Sequence, residues 1–120
     1  MKFQSNLPEG LFAASLTPMN DDLSVNNQAL VNHIKWLLGA GANGICLMGT
    51  TGEANSFSVR ERMAVLDYVI KEGIDPGILL VGTGTCNLPD SIELTRHAVD
   101  KGAGGILMLP PFYYKNVSDE

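Results

Sequence analysis

Residues Gly49-Thr50-Thr51-Gly52-Glu53 set two hydroxyl side chains between two glycines, directly after the apolar run 44–48. Glycine weakens a strand end and is useful there only where the backbone turns sharply or approaches something closely. A turn of this kind can aim consecutive N–H groups outward as an anion-binding nest. Thr50 and Thr51 add two hydroxyl donors, and together these groups match the acceptors of one carboxylate. No Lys or Arg lies in the loop, which favours a carboxylate over a phosphate. The alternative reading of the same residues is a plain turn in which the threonines cap local backbone. Glu53 is read as a carboxylate that accepts loop N–H bonds and holds the turn.

A second cluster, Phe112-Tyr113-Tyr114, follows Pro110 and Pro111. The prolines stiffen the backbone. Three adjacent aromatics on a loop make a contact surface, since Tyr and Phe are enriched at interface cores; ordinary packing over the domain rim is the other reading. Covalent chemistry through an amine needs a desolvated lysine. Lys2 is terminal, Lys35 is off the apolar stripe of its helix, Lys71 and Lys101 fall in final helical turns, and Lys115 is on a loop. None falls within an expected strand.

Other chemistry is poorly represented. His33 and His97 are read as surface or rim residues of helices, and no His, Cys, Asp or Glu spacing suggests a metal site. Gly82-Thr83-Gly84-Thr85 lacks the lysine of a P-loop and the third glycine of a dinucleotide fingerprint, so it reads as the turn after a strand. Cys86 is near the expected site mouth but has no neighbouring cation in sequence to activate it. Trp36 is expected to pack between elements.

The elements that must position these residues alternate along the chain. Apolar runs at 10–17, 44–49, 77–82 and 104–109 lack polar alternation, as strands buried on both faces do. Between them, residues 26–39, 58–73 and 88–102 carry helical periodicity. The expected buried stripes are Leu30, Val31, Ile34, Leu37 and Leu38; then Val59, Met63, Leu66, Val69 and Ile70; then Ile92, Thr95, Ala98 and Val99. Ser58 with Glu61 forms a capping-box pattern, and Asn87 with Asp90 a similar start. Gly39, Gly73 and Gly102 are expected to end the helices in left-handed conformation.

The order is β-α-β-α-β-α-β, and GAGANGICL and DKGAGGILM repeat one another across two units. Two architectures fit: a small open doubly wound sheet, or the first half of an eightfold β/α barrel, which takes about 250 residues. An isolated half barrel leaves open edges and an uncovered inner face, so the chain is read as a fragment. In either architecture the strand-to-helix loops share one face, where such folds place their sites.

The chain has 120 residues, 45% of them hydrophobic and 18% charged, with a net charge of -5. That is a soluble, globular balance. Scattered basic residues on an acidic chain argue against nucleic acid and anionic membranes. No apolar run approaches the roughly 20 residues of a membrane span, and the N-terminus lacks a secretory signal pattern. Two cysteines in separate segments are expected to be reduced thiols, which points to the cytoplasm.

GTTGE followed by the S-x-x-E-R helix start resembles the dihydrodipicolinate synthase and N-acetylneuraminate lyase family of pyruvate-dependent aldolases. GLFAASLTPMNDDLSVN is similar to that family's first strand and threonine-proline step. VGTGTCN is similar to its third strand and loop, and LPPFYYKNVSDE to its fourth strand and tyrosine loop. The likeness runs in order over essentially the whole chain. It implies a (β/α)8 TIM barrel, with residues 1–120 as the N-terminal half of a single domain that supplies four strands and three helices.

The resemblance also implies a chemistry. Pyruvate forms a Schiff base with a lysine, and no cofactor is needed. Thr50 and Thr51 match the pair that binds the pyruvate carboxylate, and Thr50 matches the threonine that passes protons to two tyrosines. Tyr113 matches the tyrosine that reaches into a neighbouring subunit's site; Tyr114 is the competing register. The catalytic lysine and second tyrosine are expected beyond residue 120, so the 120-residue chain is expected to be inactive alone. Pyruvate and an aldehyde are the expected substrates and a homotetramer built from dimers the expected assembly. Synthesis of the lysine-pathway precursor by a 4-hydroxy-tetrahydrodipicolinate synthase-like enzyme is the leading function. A sugar-acid aldolase or N-acetylneuraminate lyase stays open, as does a non-catalytic carboxylate-binding or assembly module.

Overall fold

A computed structural model describes residues 7–110, 112–116 and 118. Four short parallel strands alternate with three helices. They are β1 (Phe12–Ala14), α1 (Asn27–Gly39), β2 (Gly44–Leu47), α2 (Val59–Lys71), β3 (Leu79–Gly82), α3 (Leu88–Asp100) and β4 (Gly105–Leu107). All four expected strands and all three expected helices are present, with strand cores shorter than the apolar runs that contain them.

The sheet order is β1-β2-β3-β4, and every neighbouring pair is parallel. That order decides between the two architectures. A doubly wound sheet reverses its strand order at a switch point and covers both faces. Here each strand lies beside its predecessor, and right-handed crossovers between sequential parallel neighbours put every helix on one face. Burial agrees. Ile45, Leu47 and Leu79 are fully buried on the helix side, together with Leu30, Val31, Ile34, Leu66 and Val69. Each such aliphatic side chain contributes about 1.5–3 kcal/mol through burial. The other side carries Cys46 and Leu80, only half-buried, and Leu107, 40% exposed. The expectation that the strands are buried on both faces therefore holds for one face among the described residues.

The helix ends follow local chemistry. Ser58 and Glu61 form the full capping box of α2, and the Asn87 side chain caps α3 through the Asp90 N–H at 2.9 Å. Gly73 and Gly102 adopt positive φ after α2 and α3. Gly39 does not, because α1 runs through it; Ala40 is its C-cap and Gly41 takes the left-handed position.

Two stripe assignments are corrected. In α3 the buried residues are Ser91, Leu94 and Ala98, whereas Ile92 and Val99 are exposed. The helix is rotated because Ser91 and Thr95 turn inward to bond Thr85 and Thr83. Trp36 does not pack between elements: it is 66% exposed and stacks on His33. His97 is a rim histidine, bonded to Asp67 at 2.9 Å across the α2–α3 seam, where Lys101 also reaches Asp67 at 3.0 Å. No helix among the described residues is long and apolar enough to cross a membrane.

Candidate functional site

The C-terminal ends of the parallel strands share one end of the sheet. The residues after β2, β3 and β4 converge there on a cavity of about 140 Å³ lined by Thr50, Glu53, Arg62, Gly82, Gly84 and Leu109, among others. A cavity of that size holds a molecule of about six heavy atoms.

The Gly49–Gly52 loop is held from several sides. Its own backbone closes two turns, Glu53 N–H to Thr50 O at 3.0 Å and Ala54 N–H to Gly49 O at 3.3 Å. From the segment after β1, buried Thr17 donates its hydroxyl to the Gly52 carbonyl at 2.8 Å. Met48 and Glu53 bracket the loop, and both have positive φ, 56° and 55°. Left-handed conformations at non-glycine residues are costly and persist only where surroundings enforce them. At Gly82 the end of β3 crosses the Met48 carbonyl so closely that any Cβ there would overlap it. Only glycine fits.

These constraints leave donors free. Among the described residues, the hydroxyls of Thr50 and Thr51 and the N–H groups of Thr50, Thr51 and Gly52 have no protein acceptor. Thr50 and Thr51 are both exposed, and Thr50 lines the cavity. The segment does close a turn, Glu53 N–H to Thr50 O, but the Thr50 and Thr51 hydroxyls cap no backbone among the described residues. Glu53 is corrected. Its carboxylate accepts no loop N–H; it takes part in the turn through its backbone, and its side chain is exposed at the cavity.

Sequence reasoning missed Arg62. It belongs to the first turns of α2 and is 5% exposed. Its Nη1 donates to the Gly84 carbonyl at 3.0 Å and its Nη2 to the Gly82 carbonyl at 2.8 Å. Nε is buried without an acceptor, and among the described residues no carboxylate pairs with the guanidinium. Burial pushes its pKa down from the ordinary arginine value, yet a guanidinium stays a cation. The signal was present in the sequence: Arg62, Leu66 and Val69 share one helical face. A charged residue on that stripe was read as part of the helix start instead.

Tyr113 and Tyr114 are each 71% exposed and pack edge to face, with ring centroids 5.1 Å apart. They follow β4 in sequence, and neither lines the cavity. Pro111, used to align Tyr113, lies outside the described residues, as does Lys2. Lys35, Lys71, Lys101 and Lys115 all lie outside the strands, and Lys115 is exposed, its Nζ 3.4 Å from the Phe112 carbonyl. Cys86 is exposed in the loop after β3; Cys46 is half-buried, and desolvation raises its thiol pKa.

A family model described as the dihydrodipicolinate synthetase family matches residues 7–120. An uncharacterized DapA-like lyase of Chloroflexus aurantiacus is 38% identical over 109 residues, 90% of this chain and 36% of that protein. The crystal structure of dihydrodipicolinate synthase from Agrobacterium tumefaciens str. C58 superposes with a TM-score of 0.88 at 39% identity, covering 92% of this chain and 38% of that one. The structure of YagE, a prophage protein of the dihydrodipicolinic acid synthase family from E. coli K12 in complex with pyruvate, gives 0.82 at 32% identity, covering 91% and 36%. The sheet and its three helices match the first part of the TIM barrel in such structures. The chain thus spans 36% of the length of the first of these relatives.

Proposed function

The chain belongs to the dihydrodipicolinate synthetase family, and on that premise we propose that it carries the carboxylate-binding part of a pyruvate-dependent aldolase or lyase. One observation supports this most. Thr50, which lines the cavity at the strand ends, and its neighbour Thr51, which does not, carry hydroxyl and N–H groups with no protein acceptor among the described residues. Pyruvate, bound in the YagE complex, is a small keto acid whose carboxylate suits those donors.

In this reading a lysine amine adds to the pyruvate C2 carbonyl and loses water to form an imine. The described lysines all lie outside the strands, and on the family likeness the Schiff-base lysine is assigned to sequence beyond residue 120. Thr50 and Thr51 hold the carboxylate while a proton leaves C3 to give an enamine. The enamine carbon then attacks an aldehyde carbon, and water hydrolyses the imine to release product. Thr50 and Tyr113 carry protons between the reacting atoms and solvent, with Tyr113 serving a neighbouring copy of the chain in a homotetramer. No cofactor enters these steps. The favoured reaction is 4-hydroxy-tetrahydrodipicolinate synthesis in the cytoplasm.

Borohydride trapping of the full-length polypeptide encoded with this sequence, using labelled pyruvate, tests the proposal. Stoichiometric labelling that disappears on replacement of one lysine is the expected result. Absence of labelling, with pyruvate still bound, would leave a carboxylate-binding module and overturn the aldolase.

A further inference from the structure

The loop that presents Thr50 and Thr51 is referenced at both ends to one residue, Gly82. Where the loop begins, the Met48 carbonyl lies against the Gly82 backbone. Where the loop has passed into α2, Arg62 Nη2 donates to the Gly82 carbonyl at 2.8 Å, and Nη1 reaches Gly84 at 3.0 Å. Between these points the chain runs through the free donors, Glu53 and a single 3₁₀ turn at Ala54–Ser56.

We propose that Arg62 is a positioning residue for the carboxylate site: its planar fork ties α2 to the end of β3 and so fixes the direction of the Thr50 and Thr51 donors. This rests on the pyruvate reading above. The fork is specific. A guanidinium spans two carbonyls in one plane, whereas an ammonium is a compact point charge. Burying an arginine with no carboxylate partner is expensive, and ordinary packing gives no reason to keep one at a helix start. A constraint on donor geometry does, because a displacement of about 1 Å at a reacting site can cost on the order of a hundredfold in rate.

Arg62→Lys keeps the charge and loses the fork; Arg62→Met loses both. Both are to be made in the full-length polypeptide and compared with wild type for pyruvate KM, kcat, borohydride labelling and thermal midpoint, then repeated in a Thr50→Val background. Expected are a rise in pyruvate KM of about tenfold in Arg62→Lys and more in Arg62→Met, with labelling restored at saturating pyruvate. In the Thr50→Val background the effect of Arg62→Lys should shrink without vanishing, because coupled residues are non-additive and Thr51 still depends on the same fork. An unchanged pyruvate KM in Arg62→Lys, at a temperature well below its midpoint, overturns the proposal even if the midpoint falls. So does full additivity with Thr50→Val. Should Arg62→Met fail to fold, the lysine variant decides alone. If wild type is not labelled at all, the pyruvate reading fails and this proposal with it. A labelled wild type with an indifferent Arg62→Lys removes only the positioning role.

Discussion

The hydroxyl of Thr17, at the end of the first apolar run, donates to the carbonyl of Gly52 at 2.8 Å across 35 positions of sequence, and its oxygen lies 3.5 Å from the Met48 sulfur. One buried side chain thus ties the β1 end to the far side of the candidate site. Replacing Thr17 with Val keeps the shape and leaves the Gly52 carbonyl without its donor. An unsatisfied buried acceptor costs about 1–3 kcal/mol. Urea unfolding should therefore shift its midpoint downward, and pyruvate affinity should fall with it; an unchanged midpoint would show that water replaces the hydroxyl at no cost.

Thr50→Val removes a free donor without touching any internal hydrogen bond of the described structure. Stability should be unaltered, while turnover in the full-length polypeptide should fall by about a hundredfold or more, the usual cost of removing one preorganised donor. Steady-state kinetics with pyruvate as the varied substrate make the comparison. Kinetics like wild type would mean that the loop does not face the substrate.

Gly82→Ala would push a methyl group into the Met48 carbonyl. The backbone must separate there, at about 1–3 kcal/mol for overpacking of this kind. Because Gly82 also accepts from Arg62, the same change should raise the pyruvate KM. Thermal melting and kinetics together test this, and a fall in stability with no kinetic effect would uncouple the strand end from the loop.

The capping box of α2 predicts a pH dependence. The Ser58 N–H donates to the Glu61 carboxylate at 2.7 Å, and the Glu61 N–H to the Ser58 hydroxyl at 3.2 Å. The backbone hydrogen bond first, and the Ser58 side chain second, hold the Glu61 carboxyl below its ordinary pKa. A carboxyl depressed by folding stabilises fully above its unfolded pKa, and that stabilisation is lost as pH falls through the folded value. Glu61→Gln should therefore be less stable than wild type at neutral pH, with the gap closing in acid. Ser58→Ala should cost about 1 kcal/mol. Chemical denaturation at several pH values would reveal a constant gap if the carboxylate plays no part.

The two thiols should differ in reactivity. Cys86 is exposed, whereas Cys46 is half-buried and its pKa is raised by desolvation. Raising its pKa leaves Cys46 less of the reactive thiolate than an unburied thiol would carry, and Cys86 is the more accessible of the two. Iodoacetamide labelling followed by peptide mass analysis should find Cys86 modified first. The reverse order would mean that the open face of the sheet is more accessible than the loop.

Much of this molecule is legible in one dimension because its determinants are local. Apolar runs bounded by glycine marked the strands, and the 3.6-residue period with Ser58, Glu61 and Asn87 marked the helices and their starts. The Gly-Thr-Thr-Gly stretch marked a turn after β2, and its two hydroxyls left both an anion-binding nest and a plain turn open. Errors arose where a side chain answers to a distant neighbour. Ile92 and Val99 were placed inside by their hydrophobicity, but Ser91 and Thr95 claim the inner face of α3 through hydroxyl bonds to the loop after β3. Glu53 was given a bonding role that the backbone already fills.

The sequence by itself determined the alternation of strand and helix, the capping chemistry and the donors of the Thr50–Thr51 loop, all set by residues within a few positions of one another. The tertiary structure alone decided the sequential strand order, the anchoring of Gly52 by Thr17, and the burial of Arg62 against Gly82 and Gly84. Those bonds join residues 20 to 35 positions apart. Their partners are backbone carbonyls, which every residue carries, so no residue type in the chain advertises them.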